Sequence, residues 1–244
     1  MKSLTPLSAL EGHIVHGIIE SLIQQHRLGR SLKSSPAQEL YSQKVGDYKK
    51  TARDTVVESF NGLVLTDRFF DLIEKDGKQQ ISNFVNIVWP HLEDLEYLMH
   101  EKFESFAIEG IKVNVRVDYV TRSPNGKVVV TDWKTGEEGR FTDANLQMIV
   151  YGMWASSKYG TPLSNVMLEL AYLRKGESRP VQIDEDDVSS ATEIVLATVS
   201  EILASETLED FPTNPDRDRC LGCAFACVCP DGTTILKDFI GEPV

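Results

Sequence analysis

The segment from Pro6 to about Arg27 has the hydrophobic spacing of an amphipathic helix. Its apolar residues recur every three or four positions, which aligns them along one helix face; they are Leu10, Ile14, Ile18, Leu22 and Ile23. Polar residues with helical spacing lie beside this face, namely His13, His16 and Glu20. We therefore predict that the chain opens with a helix that buries one face and carries histidines next to it.

Apolar residues keep a helix-like spacing from about residue 30 to about residue 102, with three interruptions. These are the polar stretch SLKSSPAQE, the segment GLVLTD and the dipeptide Trp89-Pro90. Glycine, proline and small polar residues favour turns over a continuous helix. The pattern predicts a helical insertion over about 30–102.

The pattern changes from helical to alternating after Gly110. In IKVNVRVD, apolar and polar residues alternate, so that Asp118 shares one strand face with Lys112, Asn114 and Arg116. SPNG then supplies a turn, and KVVVTDWK is nearly all apolar up to Asp132, which is typical of a central strand covered on both faces. The two segments predict a β-hairpin that brings Asp118 close to Asp132.

A helix and a further strand follow the hairpin. Thr142 or Asp143 can cap a helix whose apolar positions have the spacing of one buried face; these positions are Leu146, Ile149, Val150, Met153 and Trp154. Gln147 and Tyr151 stand one turn apart on this helix. VMLELAYL then predicts a strand, and about 187–204 predicts a helix before the Pro-rich FPTNP and the cysteines. This order indicates an α/β protein with a small mixed sheet flanked by helices.

Composition and charge narrow the class of protein. At 244 residues, with 41% apolar and 25% charged residues, the chain has the composition of a soluble globular protein. It lacks an apolar run of the ~18 residues that a membrane span needs, and MKSLTPLSAL lacks the layout of a secretion signal, so we expect a cytoplasmic protein without a membrane partner. The net charge of -12 argues against a protein that coats nucleic acid without selection, but it allows a local basic groove.

The end of the second hairpin strand combines groups that suit metal-assisted hydrolysis. Because side chains alternate along a strand, Asp132 and Lys134 point to one face and Trp133 points to the other. Two carboxylates from adjacent strands form an oxygen-rich pocket for Mg²⁺ or Mn²⁺, and a nearby ammonium can orient a water or stabilise charge on phosphate. The alternative is a loose ion pair at the strand end, with Asp118 as a solvated hairpin residue.

These motifs occur in the order found in a known family. The chain resembles the PD-(D/E)XK nucleases, and among them the RecB-like exonucleases, in four places: the second histidine of GHIVHGIIE, the aspartate of VRVDYV, the DWK of VVVTDWKTG and a Q-x-x-x-Y helix, here QMIVY. With the tail, the resemblance covers almost the whole chain and implies one nuclease domain, residues 1–244. That domain would contain the helical insertion at about 30–102, a catalytic hairpin, helix and strand at 110–175, and a cysteine tail at 212–244.

The resemblance implies a role for each matched residue. The positions that match the family's Mg²⁺ or Mn²⁺ ligands are His16, Asp118 and Asp132. Lys134 matches the residue that assists the attacking water, and Gln147 and Tyr151 match residues that support the catalytic site and the engagement of DNA. Asp132 stands where many relatives have glutamate, a difference that the family tolerates.

Four cysteines fall together in CLGCAFACVC, which in a cytosolic chain indicates metal or cluster ligation. The C-x2-C-x5-C spacing of Cys220, Cys223 and Cys229 resembles the C-terminal half of the iron-sulfur site of many RecB-like nucleases, including the CRISPR adaptation exonucleases and the AddB group. In those proteins a cysteine upstream of the first helix is the fourth ligand of the 4Fe-4S cluster, and this sequence has none there. Three alternatives stay open: Cys227 is the fourth ligand, the N-terminus has been cut away or begins late, or the cluster is lost and the cysteines bind zinc or no metal.

The sequence as a whole predicts a divalent-metal-dependent DNA nuclease. The resemblance implies an exonuclease on single-stranded DNA ends, in DNA repair and recombination or in CRISPR adaptation, with a helicase or a CRISPR integrase as its protein partner. The alternative is a catalytically silent nuclease-like module that binds DNA or assembles a complex. The complete set of Asp118, Asp132 and Lys134 disfavours this alternative, because loss of catalysis usually removes at least one such residue.

Overall fold

The computed structural model describes residues 4–136 and 141–241, without the side chains of residues 141–145 and of Leu208. The predicted helix caps Thr142 and Asp143 therefore lie outside the described side chains. The chain forms two compact units. The first comprises Met1–Ser82 with Phe211–Val244, and the second comprises Asn83–Asp210.

The described part of the chain contains the following helices and strands in sequence order: α1 (Leu7–Arg27), α2 (Ser34–Thr55), α3 (Val57–Phe60), α4 (Asp67–Asn83), β1 (Glu96–Ile108), β2 (Ile111–Arg122), β3 (Val128–Lys134), α5 (Phe141–Tyr159), β4 (Val166–Tyr172), β5 (Glu177–Val181), α6 (Glu185–Ala204), α7 (Arg217–Leu221) and α8 (Pro230–Leu236). A π-helical turn, Phe84–Val88, and a 3-10 turn, Trp89–His91, connect α4 to the strands. Among the helices described, none combines the length and the apolar character that a membrane crossing requires.

The first unit is helical, as the spacing of its apolar residues predicts. All five positions of the predicted stripe on α1 are buried, which confirms the amphipathic opening helix; they are Leu10, Ile14, Ile18, Leu22 and Ile23. The chain is not helical between α3 and α4, where GLVLTD predicts an interruption. Gly77 on α4 packs against Tyr41 so closely that a Cβ there would lie 2.0 Å from the tyrosine ring, which explains the glycine inside a helix.

The second unit is built on a five-stranded mixed sheet in the order β1-β2-β3-β4-β5. All neighbouring strands are antiparallel except β3 and β4, which are parallel. A parallel pair requires a crossover connection, and α5 supplies it between β3 and β4. The α/β class and the mixed sheet flanked by helices are confirmed.

The hairpin of β2 and β3 is also confirmed. SPNG forms its turn, in which the Gly126 amide donates to the Ser123 carbonyl at 2.8 Å and Gly126 adopts a positive φ of 84°. Register pairs run from Arg122 with Val128 to Tyr119 with Thr131.

Two edge strands, β1 and β5, depart from the sequence prediction. The sequence pattern predicts helix-like structure for residues 96–102, but they form the first half of β1, because pairing with β2 satisfies their backbone groups in an extended conformation. The segment EYLMHEKFESFAI contains many good helix formers and only a partly alternating pattern. The sequence pattern does not predict β5, because Pro180 argues against a strand. The structure accommodates this proline because β5 is an edge strand, which tolerates proline.

Strand β3 occupies the centre of the sheet and is covered on both faces. On one face α5 contributes Met148 and Trp154, which pack with Val130 of β3. On the other face, the Trp133 ring stacks on Tyr119 at a centroid distance of 5.9 Å and meets Phe84 edge-on at 5.3 Å. These buried layers fix the direction in which the polar end of β3 points.

Candidate active site

The hairpin register brings the two predicted carboxylates to adjacent strands. Tyr119 pairs with Thr131, so the next residues along the two strands are Asp118 and Asp132. The Asp118 carboxylate accepts a hydrogen bond from the backbone N–H of Trp133 at 2.6 Å, directly beside Asp132. Both aspartates are buried, with 7% and 3% of their surface exposed. The predicted proximity of Asp118 and Asp132 is therefore confirmed.

Lys134 lies two residues beyond Asp132 on the same strand, and the strand alternation brings their charged groups together. Their Nζ and Oδ2 atoms are 2.7 Å apart. The same ammonium donates a hydrogen bond to Oε1 of Gln147 at 2.8 Å. A lysine has three N–H donors, so with these two partners among the described side chains a third donor can face a water or a phosphate oxygen.

A directed chain of hydrogen bonds continues from Gln147 across α5. Its Nε2 atom donates to the Tyr151 hydroxyl at 2.8 Å, and that hydroxyl donates to the Arg116 carbonyl at 2.6 Å. Residues four apart on a helix are neighbours on its surface, which allows the Gln147–Tyr151 contact. The chain links β3, α5 and β2, and it holds the Lys134 ammonium in one position.

The Tyr151 hydroxyl stays protonated in this environment. Burial raises its pKa far above the usual value, and the negative charges of Asp132, Asp118 and Glu101 raise it further. The hydrogen bond from Gln147 acts in the opposite direction. Tyr151 is thus a hydrogen-bond donor at any ordinary pH and a poor candidate for a proton acceptor.

Glu101 on β1 is a further carboxylate that the sequence analysis missed. An oxygen of Glu101 lies within 4.8 Å of one of Asp118. Its side chain is 5% exposed and forms an ion pair with Arg116 at 2.8 Å. The Glu101 backbone has a positive φ of 44°, an unfavourable conformation for a residue with a Cβ, and such strain concentrates at functional sites. No sequence signal reveals Glu101 unless β1 is first recognised as a strand.

The donor set of the second unit fits a hard divalent cation. The buried carboxylates of Glu101, Asp118 and Asp132 offer oxygen ligands, which Mg²⁺ and Mn²⁺ prefer. Buried carboxylates in such proximity repel one another, and a cation relieves this repulsion. His16 lies on α1 in the first unit and is half-buried, whereas His13 is exposed. The role of His16 stays a prediction.

The four cysteines lie in the first unit, in and between α7 and α8. Cys220 is buried in α7, Cys223 and Cys229 are partly exposed, and Cys227 is exposed. Asn61 fixes this segment, because its side-chain amide donates to the carbonyls of Leu221 at 3.1 Å and Cys223 at 3.0 Å. These two hydrogen bonds anchor the tail to the helical unit.

We expect Gln147→Ala and Tyr151→Phe to lower turnover about tenfold while lowering the free energy of unfolding by only about 1–3 kcal/mol, the usual value of the two hydrogen bonds that each change removes. Each change breaks the chain that positions Lys134, and neither creates a large cavity at a core position. Single-turnover kinetics and chemical denaturation measure the two effects.

Because the pKa of Tyr151 is raised, the wild-type rate should not fall up to about pH 10 through ionisation of this residue.

Tyr159→Phe, at the other end of the same helix, is the matched control and should leave turnover unchanged. A loss of several kcal/mol in unfolding free energy with normal turnover would assign Gln147 or Tyr151 to packing alone.

Buried carboxylates and a lysine lie together on adjacent strands of a mixed sheet, with Asp118 within β2 and Asp132 and Lys134 at the end of β3, and this arrangement suits metal-dependent phosphodiester hydrolysis. The chain belongs to the PD-(D/E)XK nuclease superfamily, whose sequence model matches residues 3–230. Members of this superfamily are generally nucleases that use Mg²⁺ or Mn²⁺ and act on DNA.

Comparisons with individual proteins add little to the family assignment. None of the curated proteins matches the sequence. A solved structure described as "Crystal structure of SSO0001" is similar over 89% of this chain and 96% of that chain, with 15% sequence identity and a TM-score of 0.34.

Proposed function

We propose that this protein is a divalent-metal-dependent deoxyribonuclease of the RecB-like type, which removes nucleotides from single-stranded DNA ends. The observation that supports it most is the connected set of Asp118, Asp132 and Lys134, with Lys134 held by Gln147. A purely structural ion pair would not need a second carboxylate beside it or a helix-borne amide to fix the lysine. Loss of catalysis usually removes at least one of these groups.

Each side chain of the second unit has a distinct task in this proposal. Asp118 and Asp132 hold the cation, with Glu101 beside them as a further oxygen donor. When bound, a divalent cation polarises the scissile phosphate and lowers the pKa of a coordinated water. Lys134 orients the attacking water and stabilises the negative charge that develops on the phosphate. Gln147 and Tyr151 hold Lys134 in place.

His16 is the remaining ligand that the family pattern implies. An imidazole nitrogen is a less usual ligand for Mg²⁺ than an oxygen, but it suits Mn²⁺ better. We therefore propose that coordination by His16 makes the site prefer Mn²⁺ to Mg²⁺. A His16→Ala variant should lose more of its cleavage rate with Mn²⁺ than with Mg²⁺.

The choice of substrate is tested with three DNA molecules of equal sequence: a linear single strand, a circular single strand and a blunt duplex. We expect nucleotides to be released from the linear strand alone, because an exonuclease needs an end and a single-strand nuclease cannot engage stacked, paired bases. Cleavage of the circle would replace the exonuclease proposal with an endonuclease. Binding of all three without cleavage would support the catalytically silent alternative.

The proposed setting is the cytoplasm, in DNA repair and recombination with a helicase or in CRISPR adaptation with an integrase. Both settings supply free single-stranded ends, and both require a nuclease that works next to another DNA-handling protein. The genes that neighbour this one distinguish the two settings, because each pathway encodes its partners together.

The cysteine tail is proposed to hold a 4Fe-4S cluster through Cys220, Cys223 and Cys229, with zinc as the alternative metal. The exposure of Cys227 supports its exclusion from the ligand set. A cluster there would be structural, because it would restrict the unfolded chain much as a long-range crosslink does.

We expect Cys220→Ser to bleach anaerobically purified protein and remove most of its iron, whereas Cys227→Ser should change little. The reason is that only Cys227 is dispensable to the C-x2-C-x5-C spacing. Visible absorbance and metal analysis measure the result. Equal bleaching by the two substitutions would make Cys227 the fourth ligand, and a colourless protein with stoichiometric zinc would exclude the cluster.

A further inference from the structure

The half of the β1–β2 hairpin next to its turn, residues 103–116, exposes one face to solvent. In this region exposed and less exposed residues alternate along both strands, as expected when one strand face is solvated. The exposed residues form three register pairs, namely Phe103 with Arg116, Ser105 with Asn114 and Ala107 with Lys112. We call these six residues the hairpin face.

An aromatic ring stands open on this face. Phe103 is 74% exposed, which leaves most of a large apolar side chain in water. The Arg116 guanidinium lies 5.3 Å from the centre of the ring, within the distance of a cation–π contact. The ring and the guanidinium therefore form a combined flat and cationic surface, a combination that suits a nucleobase next to its phosphate.

The hairpin face continues into the candidate active site. Asn114 and Arg116 line a groove of about 430 Å³ together with Gln147 and Tyr151, the two residues that position Lys134. The Arg116 backbone carbonyl also receives the Tyr151 hydrogen bond. This groove is lined by Arg116, which contacts the Phe103 ring, and the other residues that line it include Gln147, which binds Lys134.

The charges on this face are complementary to a polyanion. Lys112 and Arg116 are exposed cations on a chain whose net charge is -12, and they lie on the same strand face two positions on either side of Asn114. Arg116 is held by Glu101, which leaves several of its five N–H donors for another partner. A locally basic strip on an acidic protein points to a specific anionic ligand.

We propose that the hairpin face binds single-stranded DNA by stacking a base on Phe103 and placing the adjoining phosphates at Arg116 and Lys112. This inference rests on the proposed nuclease function and names the path by which the substrate strand enters the site. Duplex DNA cannot use this path, because its base faces are already stacked on one another. The hairpin face would therefore make Phe103 a determinant of single-strand specificity.

Fluorescence anisotropy of a labelled single strand, in the absence of divalent metal, tests the stacking. Phe103→Ala should weaken binding about five- to 160-fold, the range for losing one stacked base, whereas Phe103→Trp should retain or improve it. Phe60→Ala removes another exposed phenylalanine, 50% exposed in the first unit, and should have no effect. Lys112→Ala should reduce the slope of log affinity against log salt by about 0.7, the value for one phosphate contact on a single strand.

A strand in which the bases are replaced by abasic residues separates stacking from charge. Wild-type protein should bind it more weakly than the normal strand, and Phe103→Ala should bind the two strands alike. Equal affinity of wild type and Phe103→Ala for the normal strand overturns the inference, and it does so without touching the nuclease proposal if wild type still cleaves that strand. If wild type neither binds nor cleaves single-stranded DNA, the proposed function itself fails.

Discussion

Asp132→Asn should lower the cleavage rate by at least about 10²–10³-fold, the loss caused by removing one major stabilising group from an active site. Asparagine has the same shape as aspartate, so packing of the 3%-exposed side chain is preserved. The substitution removes the negative charge that is proposed to hold the cation and that pairs with Lys134 at 2.7 Å. Single-turnover cleavage with Mg²⁺ or Mn²⁺ measures the loss.

The stability of the metal-free Asp132→Asn protein should hardly change. The variant loses an ion pair, but it also loses repulsion from the neighbouring Asp118 carboxylate. Glu177→Gln is the control, since Glu177 is an exposed partner of Arg179 at 3.0 Å on β5 and should affect neither property. Wild-type cleavage by Asp132→Asn would remove Asp132 from the catalytic assignment.

Lys134→Met should lower the rate of the chemical step by a similar factor of about 10²–10³ while leaving metal affinity intact. Methionine keeps the apolar stem but has no ammonium to orient water or to stabilise the transition state. Because the ammonium repels a cation, its removal should leave Mn²⁺ binding equal or tighter. Calorimetric Mn²⁺ titration and single-turnover rates separate these two effects.

Lys158→Met provides a closely matched control for Lys134→Met. The Lys158 side chain is 30% exposed and pairs with Glu104 at 2.8 Å, whereas the Lys134 side chain is 28% exposed and pairs with Asp132 at 2.7 Å. The two lysines are therefore closely similar in exposure and in the length of their ion pair, and they differ in their location and in the hydrogen bond of Lys134 to Gln147. If both variants lose the same activity, the effect of Lys134→Met comes from stability or overall charge.

The hairpin and its carboxylates could be predicted from the sequence because the information is local. The alternation in IKVNVRVD, the SPNG turn and the apolar run before Asp132 each specify one element, and together they fix a register. Once two strands are in register, the side chains that face each other follow from the alternation alone. The proximity of Asp118 to Asp132 therefore needed no tertiary information.

The edge strand β1 and the carboxylate of Glu101 could not be predicted in the same way. The stretch HEKFES has mixed propensity, and only pairing with β2 makes it a strand. The positive φ of Glu101 depends on the strand geometry around Asp118 and leaves no mark in the sequence. For Gln147, the sequence predicts the position on a helix but not the hydrogen bonds. Helical spacing places a residue on one face of the helix and does not identify its partners.

The metal dependence of cleavage on an end-labelled single strand tests the central claim most directly. Protein freed of metal with a chelator and then titrated with Mg²⁺ or Mn²⁺ should show no cleavage without metal and a rate that rises and saturates as the carboxylate site fills. The same titration of Asp118→Ala should give no saturable rate. Undiminished cleavage by the chelator-treated protein, or an unchanged titration curve for Asp118→Ala, would contradict the account.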